Sequence, residues 1–390
     1  MKMKTLNILF IIFSLLFLVA CGDKGEESVE PLESSNTSKE ESEKETASGK
    51  TREQEEFDEV NRQVLELEQK AKAAEERARQ AEEEARAAQE SAVTITLTNG
   101  WTNYSSGYRS ASVRKEGNLC VVSGLIKNGG WGQLAILSEN CRPKKQLIFN
   151  LNNHASTARV DVFPNGEIHW VAGGQDHAWI SLDGVAFSTE DGEPLALTNG
   201  WSNYDAGYRA ASVERVGNLC VVSGLIKSGS WGALAMLPEE CRPSGRLIFN
   251  LNNHASTARV DVLPSGEIQW VAGGQDHAWI SLSGITFAVD GSSSLTLTNG
   301  WTPYSAGYRA PSLTREGTLC VVSGLIKGGN WSQLAMLPEE CRPSGQLIFN
   351  LNNHARTARV DVLPNGEIKW VAGGQDHTWI SLDGITFSSF

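Results

Sequence analysis

Positive charge is in short supply along this sequence. Thirty-four Lys and Arg stand against 46 Asp and Glu, a net charge of -12 over 390 residues. Much of the excess acid lies before residue 92, and the rest of the chain carries a near-balanced mix. No basic stripe is present, which excludes the electrostatic footprint of a nucleic-acid binder. Long apolar runs are missing too: residues 6–17 form one that is too short for a transmembrane helix. Residues 55–92 hold neither Gly nor Pro, so nothing there breaks a helix. The later segments have no helix-period stretch. A nucleophile elbow, a phosphate loop and an H-E-x-x-H motif are all lacking, so the sequence offers no signature of an enzyme and implies no cofactor.

What is present is repetition. Residues 147–162 read L-I-F-N-L-N-N-H-A-S-T-A-R-V-D-V, and the stretch returns at 247–262 and 347–362. The only change is Arg356 where the first copy has Ser156. A second block, W-V-A-G-G-Q-D-H-x-W-I-S-L, starts at Trp170, Trp270 and Trp370. The offset is 100 residues each time, with no insertion or deletion, so the chain is expected to hold three copies of one unit.

The N-terminus reads as an address. Lys2 and Lys4 precede the apolar run, and Leu18-Val19-Ala20-Cys21 follows it, a secretory signal whose end resembles the bacterial lipobox. The resemblance implies that residues 1–20 are a signal peptide, that Cys21 is lipidated, and that the chain is held to a lipid membrane. Gly22 after the cysteine then implies the outer membrane. Residues 21–54 are rich in Glu, Ser, Lys and Thr and are expected to be a disordered acidic linker.

Residues 55–92 carry apolar side chains at Phe57, Val60, Val64, Leu67, Ala71, Ala74, Ala78, Ala81, Ala85 and Ala88, an unbroken 3-4 alternation. That is the seam of a coiled coil, roughly 55 Å long, and it predicts a homo-oligomer. The competing reading is a lone helix held by its own i,i+4 ion pairs.

Each copy, at 93–190, 191–292 and 293–390, reads as an antiparallel β-sandwich domain, making the protein mainly β. In the first copy, strands at 119–126, 159–162 and 167–171 flank the turns Glu116-Gly117-Asn118 and Pro164-Asn165-Gly166. Further strands fall at 94–97, 111–114 and 146–151, and at 179–182 and 185–187 around Asp183-Gly184. One cysteine pair recurs per copy: Cys120 with Cys141, Cys220 with Cys241, Cys320 with Cys341. In an exported chain such regular pairs read as disulfides. Zinc is the rival reading, but the pairs are not C-x-x-C.

The unit resembles a β-sandwich module found near the C-termini of phage tail-fibre-like and bacterial surface proteins. The residues concerned are N-G-W-x-x-Y-x-x-G-Y at 99–108, R-V-D-V-x-P-x-G-x-I-x-W at 159–170, L-P-x-x-C-R-P at 237–243 and W-I-S-L-D-G-I at 379–385. The first copy departs from it at Ser138, where the others have Pro238 and Pro338. The resemblance implies adhesion or glycan binding.

The residues that point to a ligand are Asn153, His154, Gln175, Asp176, His177 and Trp179. Their equivalents are Asn253, His254, Gln275, Asp276, His277 and Trp279, and Asn353, His354, Gln375, Asp376, His377 and Trp379. Amide, carboxylate and imidazole groups in loops can bind sugar hydroxyls, a Trp face can stack on a pyranose, and Gly173-Gly174 would leave room for a ligand. In the bland alternative, Asn152-Asn153 caps a turn and His177 satisfies a buried backbone group. Trp101, Trp131 and Trp170 are expected in the core. Tyr104, Tyr108 and Arg109 form a second candidate face, and Arg159 and Asp161 are expected to pair on one side of a strand. No metal site is expected, although His154, Asp176 and His177 have the donor types for one. The resulting expectation is a membrane-anchored, non-catalytic surface protein with three heads that bind glycans or surface receptors. The alternative is a structural or protein-interaction module of the envelope.

Overall fold

The computed structural model describes residues 52–93 and 95–389. The expected signal peptide, Cys21 and most of the expected acidic linker lie outside them. A single helix, α1 (Arg52–Ser91), covers the heptad segment and starts three residues inside the expected linker. Phe57, Val60, Val64 and Leu67 of its seam are exposed. Among the described residues no helix is long and apolar enough to cross a membrane.

The remainder is β-structure, built three times. In the first repeat the strands are β1 (Ala92–Val93), β2 (Thr96–Leu97), β3 (Thr102–Asn103), β4 (Ser112–Glu116), β5 (Leu119–Ser123), β6 (Leu125–Lys127) and β7 (Gln133–Ile136). After a 3-10 turn (Glu139–Cys141) come β8 (Leu147–Asn153), β9 (Ser156–Val162), β10 (Glu167–Gly173), β11 (Trp179–Ser181) and β12 (Val185–Ser188). They form a four-stranded sheet β1-β4-β5-β12, a five-stranded sheet β2-β7-β10-β9-β8 and a three-stranded sheet β11-β6-β3. Both later repeats keep these orders.

The stretch expected as one strand at 119–126 is split by Gly124, whose φ of 120° few other residues adopt. Here the β5–β12 pair bends into the β6–β11 pair, so β11 and β12 sit in different sheets although only Leu182, Asp183 and Gly184 separate them. Asp183 holds the corner: its Oδ1 accepts from the Gly124 amide at 2.9 Å. The bent pair packs on the five-stranded sheet. Alternation along β8 sends Leu147, Phe149 and Leu151 into this core, where Phe149 meets Phe187 of β12. The expected disulfides are present in all three copies, Cys120–Cys141, Cys220–Cys241 and Cys320–Cys341, each closing a separation of 21 residues. Such a loop contributes about 3 kcal/mol in the chain-entropy account.

The repeats are not three separate heads. The 107–109 segment of each copy makes a parallel bridge to a neighbour: Tyr108 with Gln346, Tyr208 with Gln146, Tyr308 with Arg246. The third repeat thus returns to the first, and the ring closes about a pseudo-threefold axis. Alternation in β5 makes this possible. Cys120 and Val122 face the repeat's own core, while Leu119 and Val121 face outward and meet Leu219, Val221, Leu319 and Val321 in one shared apolar cluster. The three copies of β8 also touch one another pairwise. The polypeptide between repeats is part of the fabric: Glu193–Pro194 pairs with Ser212 and Val213 as the edge strand of the second copy.

Candidate functional site

The two candidate loops of each repeat do meet, through a latch. Asn152 and Asn153, expected in a loop, are the last residues of β8, and the turn to β9 is made by His154 and Ala155, with His154 at φ 64°. Asn153 is fully buried. Its Nδ2 donates to the backbone oxygens of His177 and Trp179, and its Oδ1 accepts from the His177 amide at 3.3 Å. Asn253 and Asn353 do the same. These side chains position the loop and present nothing to a ligand. The glycines serve the same closure: a Cβ on Gly174 would stand 2.7 Å from the Cβ of Ser156 and 3.2 Å from that of Asn153. The space a Cβ would take is filled by the chain itself, while Gly373 and Gly374 of the third repeat border an open depression.

The latched loop builds a junction between repeats. His154 lies edge-on to His177, ring centroids 4.7 Å apart, and His177 stacks on Trp179 at 5.5 Å. Arg359 of the third repeat lies over the Trp179 ring at 5.2 Å and places Nη1 3.3 Å from His154 Nδ1. The guanidinium is held by a two-pronged pair with Asp361, 2.7 and 2.6 Å, both residues being buried, and reaches the Tyr108 hydroxyl at 3.4 Å. Arg159 meets His254, Trp279 and Tyr208 in the same way, and Arg259 meets His354, Trp379 and Tyr308. The Arg–Asp pairing expected within one strand is there, but its role across the repeat boundary was not visible in sequence. Burial, then the Arg359 charge, then His177 hold His154 below the ordinary histidine range. It is neutral at pH 7, as a group facing a guanidinium should be. With His177 on one side and Arg359 over its ring, Trp179 has little free face for a sugar. Asp176 accepts from Ser156 Oγ at 2.7 Å, and among the described residues no three His, Cys, Asp or Glu side chains are grouped to hold a metal ion. Of the second candidate face, Tyr104 lies edge-on to Tyr108 with Lys127 over its ring, and Arg109 donates to the Ser388 carbonyl.

What stays open to solvent is Gln175 and Asp176 and their equivalents, which are exposed in all three repeats. In the third repeat they border a depression of about 490 Å³ near the axis. It is lined by Thr157, Thr257, Thr357, Arg356, Gln375 and Asp376, with Ala155 and Ala355 among the other wall residues. Here the single change in the repeated block takes effect: Arg356 Nε bonds Asp376 at 3.0 Å where the other copies pair Ser156 with Asp176 and Ser256 with Asp276. The threonines were not anticipated. Their signal, a polar residue in a strand facing a neighbouring copy, exists only once the ring is known.

No family model and no curated protein matches the chain. Among solved structures, the receptor binding protein of Listeria phage PSA aligns over 30% of this chain and 78% of its own, at 25% identity and a TM-score of 0.23.

Proposed function

We propose that the chain is a non-catalytic surface lipoprotein, held to the membrane through Cys21, whose ring of repeats binds glycans or similarly hydroxyl-rich receptors. The observation that carries this reading is the axial depression. Its wall offers threonine hydroxyls from all three repeats and, from the third, the Gln375 carboxamide, the Asp376 carboxylate and the Arg356 guanidinium, which are the groups that pair with sugar hydroxyls. The scaffold behind it is rigid, because the loops that carry Gln375 and Asp376 are latched to the sheet by Asn353. Exposed polar loops on a fixed scaffold are where binding residues concentrate. Copies of the loop at fixed spacing around one axis also suit a ligand with several sugar units, since joint engagement raises avidity. Against catalysis stands the disposition of the histidines, which pack on Trp and Arg while Asp176 is bonded to Ser156.

A glycan array probed with residues 94–390 tests this. Q375A/D376A and R356S serve as variants on the depression wall, away from the buried junctions. Specific binding that falls at least tenfold in Q375A/D376A supports the reading. Absence of binding to every glycan at high protein concentration would sink it, and a pull-down from envelope extract would then be the next experiment.

A further inference from the structure

Alternation along β8 puts Ile148, Asn150 and Asn152 on the face opposite the repeat's own core. That face meets the neighbouring copies. Asn150 Nδ2 donates to Thr257 Oγ1 at 3.1 Å, Asn250 to Thr357 at 3.2 Å and Asn350 to Thr157 at 2.9 Å, so this polar layer runs around the axis. Two residues further along β8 lies a second layer made of Asn152, Asn252 and Asn352, whose exposures are 0%, 1% and 0%.

The orientation of these three amides is fixed by their own hairpins. In each copy Nδ2 donates to the backbone oxygen of the residue two positions on, His154, His254 or His354, at 2.8 Å. Turning the amide over would set carbonyl against carbonyl. Asn252 Nδ2 also reaches Asn150 Oδ1 at 3.3 Å, and Asn352 Nδ2 reaches Asn250 Oδ1 at 2.6 Å. The donors are thus engaged, whereas the Oδ1 atoms of Asn152, Asn252 and Asn352 are buried and accept no hydrogen bond. Buried polar atoms are nearly always paired, and the same atom is orphaned in all three copies.

We propose that these three oxygens are the ligands of a monovalent metal cation, of the sodium or potassium kind, bound in the axial seam. Oxygen donors select hard cations. The set is uncharged, so a divalent ion would be buried without a compensating charge. Carbonyl-type oxygens can stand in for part of an alkali ion's hydration shell. Thr157, Thr257 and Thr357, which bond the first layer, also line the open depression, so an approach from that side is at hand. The site joins all three repeats, so occupancy and ring closure stabilise each other. It does not depend on what the depression binds.

The test is thermal unfolding of the full-length chain in sodium, potassium, rubidium and tetramethylammonium chloride at equal ionic strength. One of the small cations should raise Tm by about 2–4 °C over tetramethylammonium. N152L/N252L/N352L should abolish that difference. Should the triple variant fail to fold, N152L alone, which leaves the other two amides and their hairpin bonds in place, should at least halve that difference. Equal Tm in all four salts, or a cation effect that N152L leaves unchanged, overturns the proposal.

Discussion

At the scale of single residues, the ring depends on charges that sit out of water. Arg359 and Asp361 are both buried and bonded two-pronged, and so are their counterparts in the other copies. Removing one partner leaves the other charge uncompensated, so R359A should lower unfolding stability by about 3–5 kcal/mol in urea titration. R359K should not restore it, because an ammonium cannot reproduce the fork or the stacking over Trp179. A second buried charge makes stability depend on pH. Burial pushes the Asp183 and Asp383 carboxyls up to about 6 from 3.8, despite the amides of Gly124 and Ile348, and of Gly324 and Ile248, that favour the ionised form. With the folded value raised, each contributes stability that is complete below pH 3.8 and lost as pH rises through 6, about 3 kcal/mol per site. The second repeat has Ser283 at this place, and its Oγ takes the Gly224 amide at 3.2 Å. D183S/D383S should therefore flatten the stability profile between pH 4 and 6, measured by urea midpoints. The histidines act in the opposite sense. His154, His254 and His354 are held below 6.5, so the stability of their neutral form is lost as pH falls below that value.

At the scale of elements, the loop at 174–179 owes its order to one side chain. Asn153→Ala would orphan the His177 amide and two carbonyls at a cost of about 1–3 kcal/mol. Amide hydrogen exchange should show protection lost across 174–179 while β8 and β9 stay protected. If the loop keeps its protection, the latch is not what orders it. This loop also marks how far the sequence could be read. The hairpin turns at Gly117 and Gly166, the disulfide pairs and the β class were legible because turn chemistry and spacing are local. Gly124 looked like a residue within a continuous strand, because a sheet corner leaves the alternation on either side intact. Asn153, His177 and Trp179 were singled out as polar and aromatic loop residues. What decides their role, a neighbour's Arg359 stacked on Trp179, lies 180 residues away in sequence. Residue type shows that such groups want partners. It cannot show that the partners are protein atoms.

At the scale of the whole molecule, the repeats make equivalent contacts in a cycle, so one repeat carries both halves of the interface. Residues 193–292 alone, with Cys220–Cys241 oxidised, should therefore associate into a trimer, detected by sedimentation equilibrium. A stable monomer would mean that the shared cluster around Leu219 and Val221 contributes less than its burial implies. The closed cycle also sets a schedule for synthesis. The first repeat has all of its own sheets once Ser188 has been made, yet the residue that bridges Tyr108 is Gln346, and the carbonyl that meets Arg109 belongs to Ser388. At translation speeds of about 5–20 residues per second, some 200 residues take roughly 10–40 s. Until the third copy is made, Leu119 and Val121 lack the Leu319 and Val321 part of their cluster, beside a second copy with almost the same sequence that already offers a strand of the right register. The chain must wait for its own last segment and refuse a substitute from its middle, or from another molecule on the same message.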